Sequence, residues 1–181
     1  MKTDLDHLPA NKQRELERVK AIIFEEFEDA LVLARHEWKK KGRIEKIILY
    51  GSYARGGWVD EPHTAKGYRS DFDLLIIVSD KRLTDRVKYW AKLDERLMRE
   101  YGVTGTLRTP VNFIVHTLQE VNDGLAHGRY FFMDVARDGI ALYEYDDKEL
   151  HTPKPKTPEQ ALAMAREYFE EWMPAAADFS A

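Results

Sequence analysis

The segment Asp71-Phe72-Asp73-Leu74-Leu75-Ile76-Ile77-Val78 constrains the fold more than any other part of the chain. Its five consecutive aliphatic residues predict a short strand buried on both faces, because a half-exposed strand alternates apolar and polar side chains. The two aspartates at its beginning are two positions apart, and side chains at that spacing lie on one face of a strand. We therefore expect a buried strand with an acidic tip.

Helices and a further strand are predicted around this one. Apolar residues three or four apart predict one helix over residues 12–40, and Ile44–Tyr50 is typical of another buried strand. After the acidic strand a second amphipathic helix is expected, with Ser79 or Thr84 as its N-cap. Its apolar stripe consists of Leu83, Val87, Trp90, Ala91, Leu97 and Met98.

The second half of the chain continues this alternation. A third strand is expected over Pro110–His116, and Thr117 followed by Glu120 has the capping-box spacing that starts a helix. Residues 129–137 are predicted to be helical, and Ile140–Tyr145 to form a last strand. This order predicts an α/β (α+β) fold with a small mixed β-sheet flanked by helices.

Prolines mark the expected domain boundary. Residues 151–158 contain three prolines and no apolar side chain, so we interpret them as a linker that follows a domain over residues 1–150. A helical segment is predicted over residues 159–181, because Thr157 and Pro158 are typical of a helix start.

Composition and charge argue against several classes of protein. Apolar residues make up 44% of the chain, as in ordinary globular proteins, and there is no cysteine for a disulfide or a thiolate metal site. The net charge of −4 argues against nucleic acid as a partner. No apolar run approaches the roughly 18–20 residues of a membrane helix, and the N-terminus is polar, so we expect a soluble, cytoplasmic protein.

The aspartate pair and the turn after the first strand carry the candidate chemistry. Two adjacent carboxylates repel each other unless a cation lies between them, and Mg²⁺ prefers such ligands; two solvated acids are the alternative. The sequence Gly51-Ser52 allows a close backbone approach to a ligand and offers a hydroxyl and N–H groups to phosphate oxygens. Arg55 is expected either to face the same anion or to pair with an acid inside the fold.

The combination of these features is more specific than any one of them. A strand, Gly-Ser-x-x-Arg-Gly, a loop, Ser-Asp-x-Asp and an aliphatic strand together resemble the signature of the polymerase-β-like nucleotidyltransferases. The minimal and the kanamycin nucleotidyltransferases are the most similar groups, and the order of elements extends the resemblance over residues 44–145. The matching residues are Gly51, Ser52, Arg55, Gly56, Ser70, Asp71, Asp73 and Leu74.

The resemblance implies a fold, a reaction and a set of site residues. It implies the nucleotidyltransferase fold and transfer of a nucleoside monophosphate from a nucleoside triphosphate to a hydroxyl of a small molecule or a partner protein. Divalent metal ions, Mg²⁺ or Mn²⁺, are expected at Asp71 and Asp73. The implied nucleotide-binding residues are Gly51, Ser52, Arg55 and Ser70.

The sequence departs from the family pattern first in the loop between the two halves of the motif. Asp71 follows Ser52 by nineteen positions, which leaves room for an insertion. The insertion is interpreted either as a cover over a nucleotide or as a solvated loop. Its side chains suited to contact a nucleotide are His63, Lys66, Tyr68 and Arg69.

The second departure concerns the third carboxylate that the family usually carries on a following strand. The matching position is Asn112, which we include with Asp71 and Asp73 in the expected catalytic group. An amide can ligate a metal weakly through its oxygen but cannot act as a general base. His116 shares the strand face of Asn112 and is the alternative base, although a structural role at the strand end is the favoured interpretation.

The C-terminal segment has a resemblance of its own, to the first helix of a HEPN domain. HEPN domains are helical domains fused to, or encoded beside, such nucleotidyltransferases, so we expect a HEPN partner or self-association, with the second domain truncated. A catalytically weak, antitoxin-like nucleotide-binding module is the alternative function. The residues that carry the resemblance are Ala161, Ala165, Tyr168, Phe169, Trp172 and Ala176.

Overall fold

The chain builds a four-stranded sheet with helices on both faces, in a computed structural model that describes residues 1–60, 69–152 and 157–172. The elements in chain order are α1 (Ala10–Leu31), α2 (Glu37–Lys40), β1 (Ile44–Tyr50), α3 (Ser52–Arg55), β2 (Phe72–Val78), a 3-10 helix (Lys81–Thr84), α4 (Arg86–Tyr89), α5 (Ala91–Gly102), β3 (Val111–Thr117), α6 (Leu118–Ala126), α7 (Tyr130–Asp138), β4 (Ile140–Glu144) and α8 (Pro158–Trp172).

The strand directions bring three strand ends to one edge of the sheet. The strand order is β3-β2-β1-β4, so that β2 lies between β1 and β3. Strand β1 runs antiparallel to β2 and β4, whereas β2 and β3 are parallel and are joined by a crossover through α4 and α5. The predicted mixed sheet flanked by helices is confirmed, and the end of β1 meets the beginnings of β2 and β3.

Strand β2 is buried on both faces of the sheet. Leu74, Ile76 and Val78 pack in a larger core that includes side chains of α1 and α5. Leu75 and Ile77 pack in a smaller core that includes side chains of α6 and α7. Each of these five side chains is at most 1% exposed, so the burial predicted from the aliphatic run is confirmed. A one-residue slip would exchange the two cores, and the pairing of β2 is therefore strongly specified.

The single helix predicted over residues 12–40 is wrong. Helix α1 ends at Leu31, and α2 begins only at Glu37. A continuous helix would carry residue 42 about 16 Å beyond residue 31. In the structure, a Cβ placed at Gly42 would lie only 3.2 Å from the Leu31 side chain. The chain turns back between these residues, which allows β1 to enter the sheet directly afterwards.

The second predicted amphipathic helix is also divided. Its residues form the 3-10 helix, α4 and α5, and the caps are Asp80 and Asp85 in place of the predicted Ser79 or Thr84. The Asp80 and Asp85 carboxylates accept hydrogen bonds from the backbone N–H groups of the turns that follow them. The helical period restarts at each break, so three predicted stripe positions are wrong and are exposed, namely Val87, Ala91 and Met98.

Predictions that depend on short-range spacing hold more closely. The N–H of Glu120 donates to the Thr117 hydroxyl at 3.2 Å, and the Glu120 carboxylate accepts from the Thr117 N–H at 3.1 Å, which confirms the capping box. The strand predicted over Ile44–Tyr50 has these bounds in the structure. The next two predicted strands each begin one residue later than expected, at Phe72 and Val111.

Helix α8 exposes part of the apolar face that the sequence predicts. Its described contacts include a hydrogen bond of 3.3 Å from the Tyr130 hydroxyl to the Ala161 carbonyl. Leu162 and Phe169 are 57% and 60% exposed. The side chains of Tyr168 and Trp172 lie outside the described residues, as do all of residues 153–156 and 173–181.

These exposures yield a prediction about the C-terminal helix. Replacing both Leu162 and Phe169 by serine should lower the free energy of unfolding by less than about 1 kcal/mol, since exposed positions tolerate substitution. Urea unfolding measures this, with Leu97→Ser in α5 as the control that loses more, because Leu97 is 3% exposed. A comparable loss in the two variants would mean that α8 packs tightly on the domain.

Candidate active site

The pairing of β1 with β2 places the Gly-Ser turn against the acidic tip. Tyr50 is the register partner of Asp73, so Gly51 lies directly beside this carboxylate. Gly51 has a φ of +78°, a conformation that side-chain-bearing residues rarely adopt. A Cβ at this position would also lie 2.5 Å from Asp73 Oδ2. Glycine is therefore required for both the backbone conformation and the close approach of the carboxylate.

The turn continues into α3, which presents Ser52 at the edge of the sheet. The N–H groups of Ala54 and Arg55 both donate to the Gly51 carbonyl at 3.1 Å. The helix ends at Gly56, which has a φ of +87° and donates its N–H to the Ser52 carbonyl at 2.9 Å. Two glycines in left-handed conformations thus shape a short turn around Ser52.

Asp71 and Asp73 lie close together at the beginning of β2. Burial and the negative charge of Asp71 raise the pKa of Asp73 to about 6, against smaller opposing effects of Asn112 and Arg55. The pKa of Asp73 is raised because the Asn112 amide and the Arg55 charge do not offset its burial and the negative charge of Asp71. This is the arrangement that a bound cation would stabilise.

Asn112 lies beside the pair, on the neighbouring parallel strand. It is the register partner of Asp73, and its side-chain amide donates a hydrogen bond to Asp71 Oδ2. The amide also lowers the pKa of Asp73. The structure thus brings together the three residues of the expected catalytic group, and it orients the Asn112 amide towards the carboxylates.

His116 lies at the other end of the same strand. It is four residues from Asn112, which corresponds to about 13 Å along a strand. Its Nδ1 lies 3.2 Å from Glu120 Oε2, and its ring packs edge-on against Phe132. These contacts favour the structural interpretation of His116 and separate it from the aspartate pair.

Arg55 is exposed at the end of α3 and lies near two acids. Its positive charge lowers the pKa of Asp73 and contributes to the lowered pKa of Asp138, for which Arg137 is the larger cause. Both sequence interpretations, contact with an anion and pairing with an acid of the fold, are compatible with this placement.

Ser70 closes the base of the insertion. Its N–H donates to the Val59 carbonyl at 2.7 Å, and its hydroxyl accepts from the Val59 N–H at 2.8 Å. Asp60 and Arg69 form an antiparallel bridge next to this pair. The insertion therefore begins and ends in a short ladder. Three of its predicted nucleotide contacts lie outside the described residues, namely His63, Lys66 and Tyr68.

An open cavity of about 400 Å³ connects the two halves of the motif. The carboxylate pair, the Gly-Ser turn and the base of the insertion all contribute to its walls. The lining residues are Ser52, Gly57, Val59, Arg69, Ser70, Asp71 and Asp73.

Sequence reasoning missed a buried lysine behind the turn. The Lys12 ammonium donates to the Thr109 hydroxyl at 2.7 Å and lies 3.3 Å from Asp60 Oδ2. Burial disfavours the charged form of Lys12, but Tyr53 and Glu15 outweigh this effect, so its pKa is raised. The available signal was that Lys12 occupies a position of the apolar stripe, four residues before Leu16 and seven before Val19, where a lysine needs buried partners.

Tyr50 was also missed. Its ring packs edge-on against Phe131 of α7 at a centroid distance of 5.4 Å. Burial and the charge of Asp73 raise the pKa of Tyr50 to about 12, so the phenol stays protonated beside the carboxylate pair. The sequence signal was its place directly before Gly51 at the end of a buried strand.

Comparison with known proteins assigns the family. The family model described as polymerase β nucleotidyltransferase matches residues 34–148, which is more than half of the chain. The chain belongs to the polymerase β nucleotidyltransferase family. It is also 35% identical over 105 residues to a Methanocaldococcus jannaschii protein provisionally named a protein adenylyltransferase, a match that covers 58% of this chain and 84% of the relative. The expected nucleotidyltransferase fold and enzyme class are confirmed.

Two solved structures are also similar to this nucleotidyltransferase. One is a toxin-antitoxin crystallised with AMP-PNP, with a TM-score of 0.35, 16% identity, and coverage of 89% of this chain and 98% of that chain. The other is a mutant of the toxin-antitoxin MntA-HpeT, with a TM-score of 0.34, 14% identity, and coverage of 88% and 96%.

The described ranges contain neither a cluster of metal-ligating side chains nor a membrane-spanning helix. In residues 1–60, 69–152 and 157–172, no three or more histidine, aspartate or glutamate side chains cluster as a metal site. Within the same ranges, none of the helices is both long and apolar enough to span a membrane.

The raised pKa of Asp73 predicts a pH dependence of stability in metal-free protein. The folded state keeps a proton on Asp73 up to about pH 6, whereas the unfolded chain releases it near pH 4. The free energy of unfolding should therefore fall as the pH rises from about 4 to 6, by at most about 2–3 kcal/mol because solvent screens part of the effect, and then stay at the lower value.

The matched variants isolate this effect. Asp73→Asn should remove the fall and make the metal-free protein more stable than the parent above pH 6, as measured by urea unfolding across the pH range. Asp29→Asn is the control, because the Asp29 side chain is 62% exposed. An Asp73→Asn curve parallel to that of the parent would contradict the raised pKa of Asp73.

Proposed function

We propose that this nucleotidyltransferase transfers adenosine monophosphate from ATP to a side-chain hydroxyl of a partner protein, with a divalent metal ion as cofactor. The provisional name of the M. jannaschii relative supports ATP as donor and a protein as acceptor. The net charge of −4 disfavours a polynucleotide acceptor. A hydroxyl of a small molecule is the other acceptor class.

The observation that carries the proposal is the position of two repelling carboxylates beside a turn suited to phosphate. Asp73 lies against Gly51, and Ser52 and both aspartates line one cavity. A triphosphate and a carboxylate pair repel each other unless cations separate them. The site therefore combines the ligands for a cation with the hydroxyl and backbone groups that bind phosphate oxygens.

The donor set fits Mg²⁺ or Mn²⁺. Asp71 and Asp73 supply hard anionic oxygens, and the raised pKa of Asp73 indicates charge that a cation would balance. Asn112 adds an amide whose oxygen becomes available if the group rotates. When bound, the metal ion neutralises phosphate charge and favours in-line displacement of pyrophosphate.

The residues of the chain position the reactants. The Ser52 hydroxyl and the first N–H groups of α3 would hold phosphate oxygens, and Arg55 would add positive charge beside them. In the transfer, the acceptor oxygen forms a bond to the α-phosphorus, the bond from this phosphorus to the bridging oxygen breaks, and pyrophosphate leaves. The acceptor hydroxyl has to lose its proton to a base, and Asn112 cannot take this proton.

Because Asn112 cannot act as the base, a second candidate function is a nucleotide-binding module with weak turnover. The amide of Asn112 is directed at Asp71 from the position where the family resemblance places a carboxylate. General-base assistance contributes about 10²–10⁴-fold to a rate, so its loss slows transfer without preventing binding. A HEPN partner for this module remains a prediction from the sequence.

Transfer of a label tests the proposed reaction. The protein, ATP labelled on the α-phosphate, Mg²⁺ and cell lysate should give a labelled protein band, and label on the β-phosphate should not transfer. Asp71→Asn and Asp73→Asn should each reduce labelling by about 100-fold or more, as for the loss of other electrostatic groups in active sites. Asp29→Asn is the control. Equal labelling by all variants would contradict the site assignment.

Restoring the carboxylate separates the two candidates. Asn112→Asp should raise the rate of transfer, by up to about 100-fold if base assistance is regained. It should also destabilise the metal-free protein through added repulsion, with recovery on addition of Mg²⁺. A rate and a melting temperature like those of the parent, with or without Mg²⁺, would mean that Asn112 does not contribute to the site.

A further inference from the structure

The cavity at the carboxylate pair is lined by more negative than positive charge, and Arg69 partly balances the difference. Of the described residues that line the cavity, Asp71 and Asp73 are negative and Arg69 is the positive one. A nucleoside triphosphate is itself strongly anionic, so its binding requires positive charge on the protein in addition to any metal ion. Arg69 belongs to the insertion, outside the part of the motif that carries the family resemblance.

The guanidinium of Arg69 is held on one side. Its Nη1 donates to the Arg108 carbonyl at 3.1 Å, and its Nε lies 3.5 Å from Asp60 Oδ1. Among the described residues these two contacts are made by Nε and Nη1, and Nη2 is a further guanidinium nitrogen that can donate to a ligand. The side chain is 28% exposed, which leaves it accessible from the cavity.

The backbone beneath Arg69 is fixed as well. The Asp60–Arg69 bridge is extended by two hydrogen bonds between Val59 and Ser70, at 2.7 and 2.8 Å. Ser70 is 7% exposed. A short ladder therefore fixes the backbone that carries Arg69 beside the cavity.

Asp60 connects Arg69 to the interior of the protein. Its Oδ2 lies 3.3 Å from the Lys12 ammonium, while its Oδ1 faces Arg69. Lys12 is 3% exposed and is tied to Thr109, just before β3. Lys12, Asp60 and Arg69 therefore form a row of alternating charges from helix α1 to the cavity. The Asp60 carboxylate is held between the two cations.

We propose that Arg69 binds the phosphates of the nucleotide, and that Asp60 and Lys12 are positioning residues that hold its guanidinium at the cavity. This inference rests on the proposed function, since it requires a nucleoside triphosphate as substrate. Arg69 acts on affinity, so its loss should raise the dissociation constant and KM for the triphosphate much more than it lowers kcat. A purely structural tether between the insertion and Arg108 would instead affect the melting temperature and leave affinity unchanged.

Nucleotide titration of the full chain tests the role of Arg69. With Mg²⁺ and a non-hydrolysable ATP analogue, Arg69→Ala should weaken binding by about 10–100-fold, the range expected for a charge-assisted contact, and Arg69→Lys should restore part of the affinity. The loss should be smaller for AMP than for the triphosphate. Arg108→Ala is the control, since it removes a neighbouring positive charge but keeps the carbonyl that Arg69 contacts.

A double-mutant cycle tests the role of Asp60. Asp60→Asn should weaken analogue binding by about 3–10-fold in the parent. In the Arg69→Ala background it should weaken binding by less than about 2-fold, because the contact between Asp60 and Arg69 is already lost there. Thermal melting verifies that each variant is folded. Parent-like affinity of a folded Arg69→Ala variant, or equal losses in Arg69→Ala and Arg108→Ala, would overturn the inference. Failure of the parent itself to bind the analogue would instead refute the proposed function.

Discussion

The antiparallel pairing of β1 with β2 is the constraint on which the rest of the site depends. It places the end of one strand beside the beginning of the other, so that Gly51 and Asp73 are neighbours although 22 positions separate them in the chain. The parallel pairing of β2 with β3 then adds Asn112 to the same edge. Three segments distant in sequence meet because β1 runs antiparallel to β2 whereas β3 runs parallel to it, and helices on both faces fix the register.

The two ionised carboxylates lower the stability of the folded protein, and burial of the apolar core offsets this loss. The raised pKa of Asp73 corresponds to at most about 2–3 kcal/mol of stability lost above pH 6, since solvent screens a partly buried carboxyl. Burial of a single aliphatic side chain contributes about 1.5–3 kcal/mol, and β2 alone buries five of them next to the pair. A strand buried on both faces can therefore keep two carboxylates together without a cation, which keeps the ligands in place before metal and nucleotide arrive.

The parts of the fold that the sequence predicts are those specified by short-range patterns. The run of five aliphatic residues predicts the position of β2, and the spacing of Thr117 and Glu120 predicts the start of α6. The end of α1 was not predictable, because it depends on the return of Gly42 to Leu31. The Lys12 network was missed for the same reason: its hydrogen bond to Thr109 joins residues 97 positions apart. The candidate aspartates and Asn112 were found from their motif. Arg69 was one of four candidate nucleotide contacts in the insertion, and only the folded ladder places it at the cavity.

A carboxyl-carbon NMR titration of Asp73, with and without Mg²⁺, tests the central claim most directly. The account predicts an apparent pKa near 6 in the metal-free protein, because burial and Asp71 disfavour the second negative charge. Added Mg²⁺ and ATP analogue should shift this titration to well below its metal-free value, since the cation favours the ionised pair. A pKa near the ordinary value of about 3.9 that does not respond to Mg²⁺ would contradict the account.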